Sequence, residues 1–490
     1  MRLKGNPMEH IFRLLKGNFL GQSPAWYKIT IVSFLVLNPL LYFCVDPFTA
    51  GWVVLVEFIF TLACALKCYP LQPGGLVALE AVAIGLTNPE VVYEEILKNA
   101  PTLLLLIFMV SAIYFIKDVL FLAMTKLFLV FRRKHILSLA FCLICASLSA
   151  FLDALTLVAI SIAVCFNFYA IYYRVESHSG NEKDMEELRG FLRNLIVHGT
   201  VGTIIGGTMT IVGEPNNMMI GTKMGWDFTG FVTHCAPISV PAAIAGFFVC
   251  FSLEFFKCPG FQYQMPERAR ELIQKDYTKK LHEMTEQNFY VYIIQIVVFL
   301  MLVLALASHV AEVGLIGIGL IIIVTAFTGL TKEHDLGAAF TNAMPFAVLI
   351  VVFFAILGVV HEQHLIAPLA KWVFTFSGKA QLLALYFTNG MLSLVSDNVF
   401  VATVFINAVE EAHTNGTISP EDYQKLAVVV NMGTNIPAMA TPNGHAALLF
   451  LLTSSLAPVL RLSYFRMVIL TLPYTIALTL TGALAIYLFL

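Results

Sequence analysis

Val201–Asn217 reads VGTIIGGTMTIVGEPNN. It opens like an apolar membrane helix and then breaks down into glycine, threonine, proline and paired asparagines. Inside a bilayer such a break strips backbone groups of their helical partners. It is tolerated only within packed protein or beside a water-filled cavity. Breaks of this kind are where transporters bind ions. Asn431–Gly444, NMGTNIPAMATPNG, repeats the pattern, with Gly-Thr early (Gly202-Thr203, Gly433-Thr434) and Pro-Asn late (Pro215-Asn216, Pro442-Asn443).

The surrounding chain supplies the bilayer. Of its 490 residues 59% are hydrophobic and 12% charged, against about 25% charged in an ordinary soluble domain. Apolar runs of about twenty residues recur along it, which makes the expected fold an all-α polytopic membrane protein with about 10 to 12 crossings. A formal net charge of -2 leaves no nucleic-acid footprint. Most of the nine cysteines sit inside apolar runs with no histidine cluster beside them, so they read as packing residues. No nucleotide-binding, zinc-protease, serine-lysine or paired-aspartate signature is present, which argues against a pump or an intramembrane enzyme.

Polar interruptions divide the chain. Residues 1–28 read as an interfacial or cytoplasmic segment, with Arg2, Lys4, Arg13 and Lys16 interleaved among Ile11, Phe12, Leu14 and Leu15 and no cleavable signal pattern. N-terminal transmembrane helices fill 29–134. A first transport repeat spans 135–256 with a polar loop at 174–193, a polar linker covers 257–288, and a second repeat occupies 289–490. The runs Leu137–Tyr173 and Trp372–Val409 exceed one crossing, so each divides into two helices or a helix plus a re-entrant hairpin. The basic turn Arg132-Arg133-Lys134 and the flank at Arg461 and Arg466 face the cytoplasm by the positive-inside rule.

Two acids lie deep in apolar runs, Asp153 in SLSAFLDALTLVAIS and Asp397 in GMLSLVSDNVFVATVF. Buried charge of this kind is costly and asks for a function. Each has a serine four residues earlier, Ser149 and Ser393, and each precedes one of the broken segments. The order of aspartate element, loop and broken helix thus occurs twice, as expected of two repeats, inverted if each holds an odd number of helices. The oxygen chemistry suits a hard monovalent cation. Candidate ligands are Ser149, Thr210, Gly213, Glu214, Asn216 and Asn217 in the first half, and Ser396, Asn398, Thr434, Asn435, Thr441 and Asn443 in the second. Pro215, Pro437 and Pro442 interrupt helical bonding. Sodium and protons compete for a carboxylate placed there, so Asp153 and Asp397 are the expected switching acids and sodium ligands. His198 and His445, flanking the two breaks, are the histidines placed to sense pH. Glu57 and Glu80 also lie in apolar runs, ahead of either motif.

NFLGQSPAWYK, EFIFTLACALKCYPLQPGGLVALEA, AFLDALTLVAIS, GGTMTIVGEPNN, SDNVFVATVFIN and GTNIPAMATPNG, in this order, resemble the NhaB sodium/proton antiporters. The resemblance runs from about Asn18 to the C terminus. It implies the ion transporter superfamily, a multi-pass protein of the bacterial inner membrane, and re-entrant hairpin tips around Leu152–Thr156 and at Ser396-Asp397-Asn398. Unwound segments are implied at Gly213-Glu214-Pro215-Asn216 and Ala440-Thr441-Pro442-Asn443. It further implies sodium or lithium export against protons, no cofactor beyond these ions, and a homodimer. The related dicarboxylate carriers use a Ser-Asn-Thr tip where this chain has Leu152-Asp153-Ala154. That difference favours ion exchange over the alternative, sodium-coupled uptake of a dicarboxylate or other anion.

Overall fold

A computed structural model describes residues 17–490 apart from 65–66, 153, 177–181, 309, 342, 366–367, 369–371 and 395–397. Asp153, Ser396, Asp397 and most of the basic N-terminal segment therefore lie outside the described residues. Among those described, every regular element is helical. The principal helices are α1 (Ala25–Cys44), α2 (Pro47–Ala63), α3 (Leu71–Ile84), α4 (Pro89–Lys98), α5 (Lys117–Val130), α6 (Lys134–Ser149), α7 (Ala154–Glu176), α8 (Glu182–Gly207), α9 (Pro215–Met224) and α10 (Phe228–Phe255). They continue as α11 (Glu267–His282), α12 (Glu286–Ala307), α13 (Val313–Thr328), α14 (Met344–Glu362), α15 (Gly378–Ser393), α16 (Asn398–Thr414), α17 (Pro420–Asn435), α18 (Ala446–Thr453) and α19 (Tyr464–Phe489).

Among the described residues five helices are long and apolar enough to cross a membrane, six if the pair Ile107–Tyr114 and Lys117–Val130, bent by 60°, is one span. The long apolar runs are cut, as their length led one to expect. Leu137–Tyr173 divides between α6 and α7, and the run through the opening motif divides between α8 and α9. Five further apolar helices, α2, α3, α6, α13 and the Ala347–Glu362 stretch of α14, have 10–17 residues, short of the roughly twenty that span the hydrocarbon core.

The chain forms two compact units, one from Met1–Lys98 with Val348–Pro368, the other from Asn99–Ala347 with Leu369–Leu490. In the first, α1 turns Ile29, Val32, Val36, Leu40 and Phe43 outward and buries Tyr27, Ile31 and Asn38. Asp46 caps α2 by accepting from the Thr49 hydroxyl at 2.7 Å and the Thr49 N–H at 2.8 Å, and these bonds hold its carboxyl below the ordinary range. Gly74 of α3 packs on α2, where a Cβ would stand 2.9 Å from the Phe58 ring. Asn88 donates to Glu362 at 2.8 Å, and His361 lies 3.7 Å from Glu95.

In the second unit α8 lies against α6 at glycine distance. A Cβ on Gly202 would meet the Cys142 carbonyl oxygen at 2.4 Å, and one on Gly206 the Ala146 oxygen at 1.9 Å. The same contact recurs between α17 and α15, where a Cβ on Gly433 would stand 2.9 Å from the Tyr386 oxygen. Pro437 meets Gly390 there, the bulky and small partners having changed sides relative to Gly206 and Ala146. The basic residues satisfy backbone at helix ends. Arg270 on the polar helix α11 donates to the Phe128, Leu129 and Phe131 carbonyls that end α5, and Arg193 donates to the Leu460 carbonyl at 3.0 Å.

Candidate ion-binding site

Both breaks are built on one device. α8 ends at Gly207 and α9 begins at Pro215, where a proline lacking N–H is well placed at a first helical position. α17 ends at Asn435, a short 3-10 turn covers Pro437–Ala440, and α18 begins at Ala446. In the first break Thr210 Oγ1 donates to the Ala150 carbonyl, just past α6, at 2.7 Å and accepts from the Gly213 N–H at 3.3 Å. In the second Thr441 Oγ1 donates to the Leu394 carbonyl, just past α15, and accepts from the Gly444 N–H at 3.1 Å. Thr210 and Gly213 have the spacing of Thr441 and Gly444, and Gly202 and Gly433 keep the same register. The two Pro-Asn dipeptides do not correspond. Pro215-Asn216 follow the matched glycine and Pro442-Asn443 precede it, so that part of the sequence alignment is corrected.

Continuing that register, Glu214 matches His445, and the two side chains meet, with Glu214 Oε1 3.5 Å from His445 Nε2. Glu214 is 2% exposed and His445 fully buried. His445 Nδ1 accepts from the Ala447 N–H at 3.3 Å, which leaves Nε2 to carry the hydrogen toward the carboxylate.

Between the breaks lies a fully buried amide cluster. Asn216 Nδ2 donates to Asn435 Oδ1 at 3.1 Å and reaches Thr434 Oγ1 at 3.4 Å. Asn398, the first residue of α16, donates to the same Asn435 oxygen at 3.1 Å. Asn435 Nδ2 in turn donates to Asn217 Oδ1 at 3.0 Å and Asn431 Oδ1 at 2.9 Å. Asn217 Nδ2 supplies the carbonyls freed by the break, Gly207 at 2.7 Å and Thr210 at 2.6 Å. Those carbonyls are thus already partnered by an amide. Oxygens without a hydrogen-bond partner among the described residues stand elsewhere: the hydroxyls of Ser149 and Ser393, the last residues of α6 and α15, and Asn398 Oδ1, all fully buried. Buried polar atoms are nearly always bonded, so these three oxygens are exceptions to the rule.

Of the residues expected from sequence, Ser149, Thr210, Gly213, Glu214, Asn216, Asn398, Thr434, Asn435 and Thr441 are gathered around the two breaks, and Asn443 is half-buried in the second. His198 is elsewhere. Its Nδ1 faces the Tyr474 hydroxyl at 2.6 Å and its Nε2 faces Glu254 Oε1 at 2.9 Å, while Lys134 Nζ sits 2.6 Å from Glu254 Oε2. Glu254 thus receives Lys134 on one oxygen and His198 on the other. Sequence reasoning passed over Asn431 and Glu254. Asn431 lies four residues before Asn435 on one helix face, a visible signal. Glu254 has no such signal, since its partners come from distant segments. Among the described residues no group of three or more His, Cys, Asp and Glu side chains is arranged to hold a metal.

The family model described as Bacterial Na+/H+ antiporter B (NhaB) matches residues 8–490. The Na(+)/H(+) antiporter NhaB of Pectobacterium carotovorum subsp. carotovorum (strain PC1) is 50% identical over 493 residues, covering 97% of this chain and 94% of that protein. That of Escherichia coli (strain SMS-3-5 / SECEC) is 49% identical over 488 residues, covering 97% and 95%, and that of Vibrio atlanticus (strain LGP32) 49% over 489 residues, covering 96% and 92%. The chain belongs to the NhaB family of sodium/proton antiporters, multi-pass secondary transporters of the bacterial inner membrane and not enzymes.

Proposed function

We propose that the chain exports sodium, and lithium, in exchange for protons by alternating access, with Asp153 and Asp397 passing between cation-bound and protonated forms. The observation that carries this is the buried asparagine and threonine cluster between two helix breaks. It is rich in oxygen and neutral, so a cation entering it needs a carboxylate supplied from beside it. Ala154 reaches the first break and Asn398 the cluster itself: the Ala154 N–H donates to the Gly213 carbonyl at 3.3 Å, and Asn398 donates to Asn435 Oδ1 at 3.1 Å. Asp153 and Asp397 are the residues immediately before them in sequence. A carboxylate that takes either a proton or a sodium ion at one place couples the two flows.

The repeated hydroxyl, glycine and helix-contact pattern supports reading 135–256 and 289–490 as two repeats, 257–288 as their linker, and each repeat as a hairpin followed by a broken helix. We take the repeats as inverted and the protein as a homodimer, as the family resemblance implies. His198, in its network with Tyr474, Glu254 and Lys134, and His445, which faces Glu214 at the breaks, are the two histidines we assign to pH response.

Everted membrane vesicles carrying a pH-sensitive dye test the assignment. Sodium or lithium is expected to dequench the dye with the unaltered protein, and Asp397→Asn or Asp153→Asn to abolish the response while the protein still inserts. Full sodium-driven proton flux in Asp397→Asn removes the switching role. A response to succinate with sodium, and none to sodium alone, replaces exchange by uptake.

A further inference from the structure

A second set of buried acids lies in the unit formed by Met1–Lys98 and Val348–Pro368. Asn38 of α1 places both amide hydrogens on carboxylates, donating to Glu57 Oε2 of α2 at 2.7 Å and Glu80 Oε2 of α3 at 2.9 Å. Asn38 is fully buried, Glu57 is 3% exposed, and Glu80 is half-buried. Two carboxyls on one amide stand within a few ångströms of each other, in three mainly apolar helices that carry no other acid. At that separation in a low-dielectric setting both cannot hold negative charge without a compensating cation.

No described side chain supplies one. The only lysine on α1, α2 and α3 is Lys28, which reaches the Gly17 and Gly21 carbonyls at the start of α1. On α4 and α14, Lys98 and His361 pair with Glu95, and Glu362 accepts from Asn88. Tyr27, Tyr42 and Cys44 are the other titratable groups on α1, and Cys64, Lys67, Cys68 and Tyr69 lie in the connection between α2 and α3. Two acceptors at the junction lack a hydrogen-bond partner among the described residues: Asn38 Oδ1 and Glu57 Oε1. Each is bonded through one carbon to the atom that makes the cluster's hydrogen bonds, so both orphan oxygens lie at the carboxyl pair. Pro39, inside α1 beside Asn38, removes a further helical N–H from the same turn. The Lys134–Glu254 pair shows the usual solution for a buried acid in this chain, and that solution is missing here.

We propose that Asn38, Glu57 and Glu80 form a second cation-binding site, in which one monovalent cation, an alkali ion or a proton shared by the carboxyls, neutralises the pair. The two carboxylates, the orphan amide oxygen and the orphan carboxyl oxygen supply the hard oxygen donors that either ion takes. The site goes beyond the exchange centre of the other unit and shares no residue with it.

Infrared difference spectra of the full-length protein in liposomes, taken in sodium-free buffer and after adding sodium chloride at neutral pH, read the carboxyl state directly. The expected result is a protonated-carboxyl C=O band, or a sodium-dependent shift of the carboxylate stretch, that disappears in Glu57→Gln. The band marks the shared proton and the shift marks the alkali ion. Glu80→Gln, which alters the less buried partner, gives the same loss and replaces Glu57→Gln if that variant does not fold. The signal is expected to survive in Asp153→Asn/Asp397→Asn, whether or not that protein still exchanges ions, so this site and the exchange centre are judged separately. Spectra that are the same in the unaltered protein, Glu57→Gln and Glu80→Gln, at both sodium levels, overturn the proposal.

Discussion

The break after α8 and the break after α17 use the same backbone fittings and different side chains. Each has a threonine joining the end of a neighbouring helix to a glycine three residues on, and each rests on a glycine contact one or two turns earlier. Beyond that glycine the two diverge. The first break continues into Glu214, Asn216 and Asn217, and the second into His445, Ala447 and Leu448. The second half places its amides before the break instead, at Asn431 and Asn435, so α9 and α17 each donate to the other in one cluster, Asn216 to Asn435 and Asn435 to Asn217. The same backbone fittings thus occur at both breaks, while the amides of the one cluster are distributed unequally between them.

The closeness of the two frames is the first point at which the comparison can be broken, and the effect there is the largest. Gly206→Ala would put a methyl 1.9 Å from the Ala146 oxygen, a backbone atom that cannot step aside alone, whereas Gly433→Ala would put one 2.9 Å from the Tyr386 oxygen. Overpacking costs about 1–3 kcal/mol where neighbours can shift and more where they cannot. Fluorescence-detected size exclusion in detergent is expected to show no monodisperse peak for Gly206→Ala. Gly433→Ala is expected to keep its peak and melt several degrees lower, the shift of roughly 1–2 kcal/mol in a chain of this kind. Equal tolerance of the two would mean that the frames are packed alike.

These contacts also explain which features could be read from residues alone. Gly-Thr recurs at Gly202-Thr203 and Gly433-Thr434 because the glycine in each must admit another helix's carbonyl, so identity and register go together. Pro-Asn recurs without that constraint. A proline serves equally to start α9 at Pro215 or to sit inside a turn at Pro442, and the dipeptide matched in composition but not in place. Asn217 was legible as a polar residue, but its task of holding the Gly207 and Thr210 carbonyls depends on the path of the break. Glu254 and Asn38 were not legible, since what marks each is a partner brought from another segment: His198, Tyr474 and Lys134 for one, Glu57 and Glu80 for the other.

A smaller effect separates the two threonines. Thr210→Val would leave the Ala150 carbonyl and the Gly213 N–H without the hydroxyl between them, at about 1–3 kcal/mol for each buried group left unsatisfied. Thr441 is half-buried where Thr210 is 4% exposed, so Thr441→Val is expected to cost less. Thermal melting should rank Thr210→Val below Thr441→Val. Sodium-driven dequenching should fall in both and recover in the serine variants, which keep the hydroxyl. Valine variants that transport as well as the serine ones would show that the hydroxyls only fill space.

The smallest expected effect comes from exchanging the matched pair. Glu214 and His445 occupy the same place in their frames and touch each other, so Glu214→His with His445→Glu should rebuild the contact with its partners reversed. A glutamate at 445 can still accept from the Ala447 N–H as the imidazole does, since a carboxylate accepts at a helix start. Each single change puts two imidazoles or two carboxylates face to face in a buried position, and like groups so placed repel or force one to neutralise. Initial rates of sodium-driven proton movement across several pH values are expected to fall at least about tenfold in each single variant, which corresponds to roughly 1.4 kcal/mol, and to return most of the way in the double. Recovery measures a direct coupling between the two positions. Additive losses would mean that the environments beyond the shared frame, Asn216 and Asn217 on one side and the apolar α18 on the other, decide which residue each break accepts.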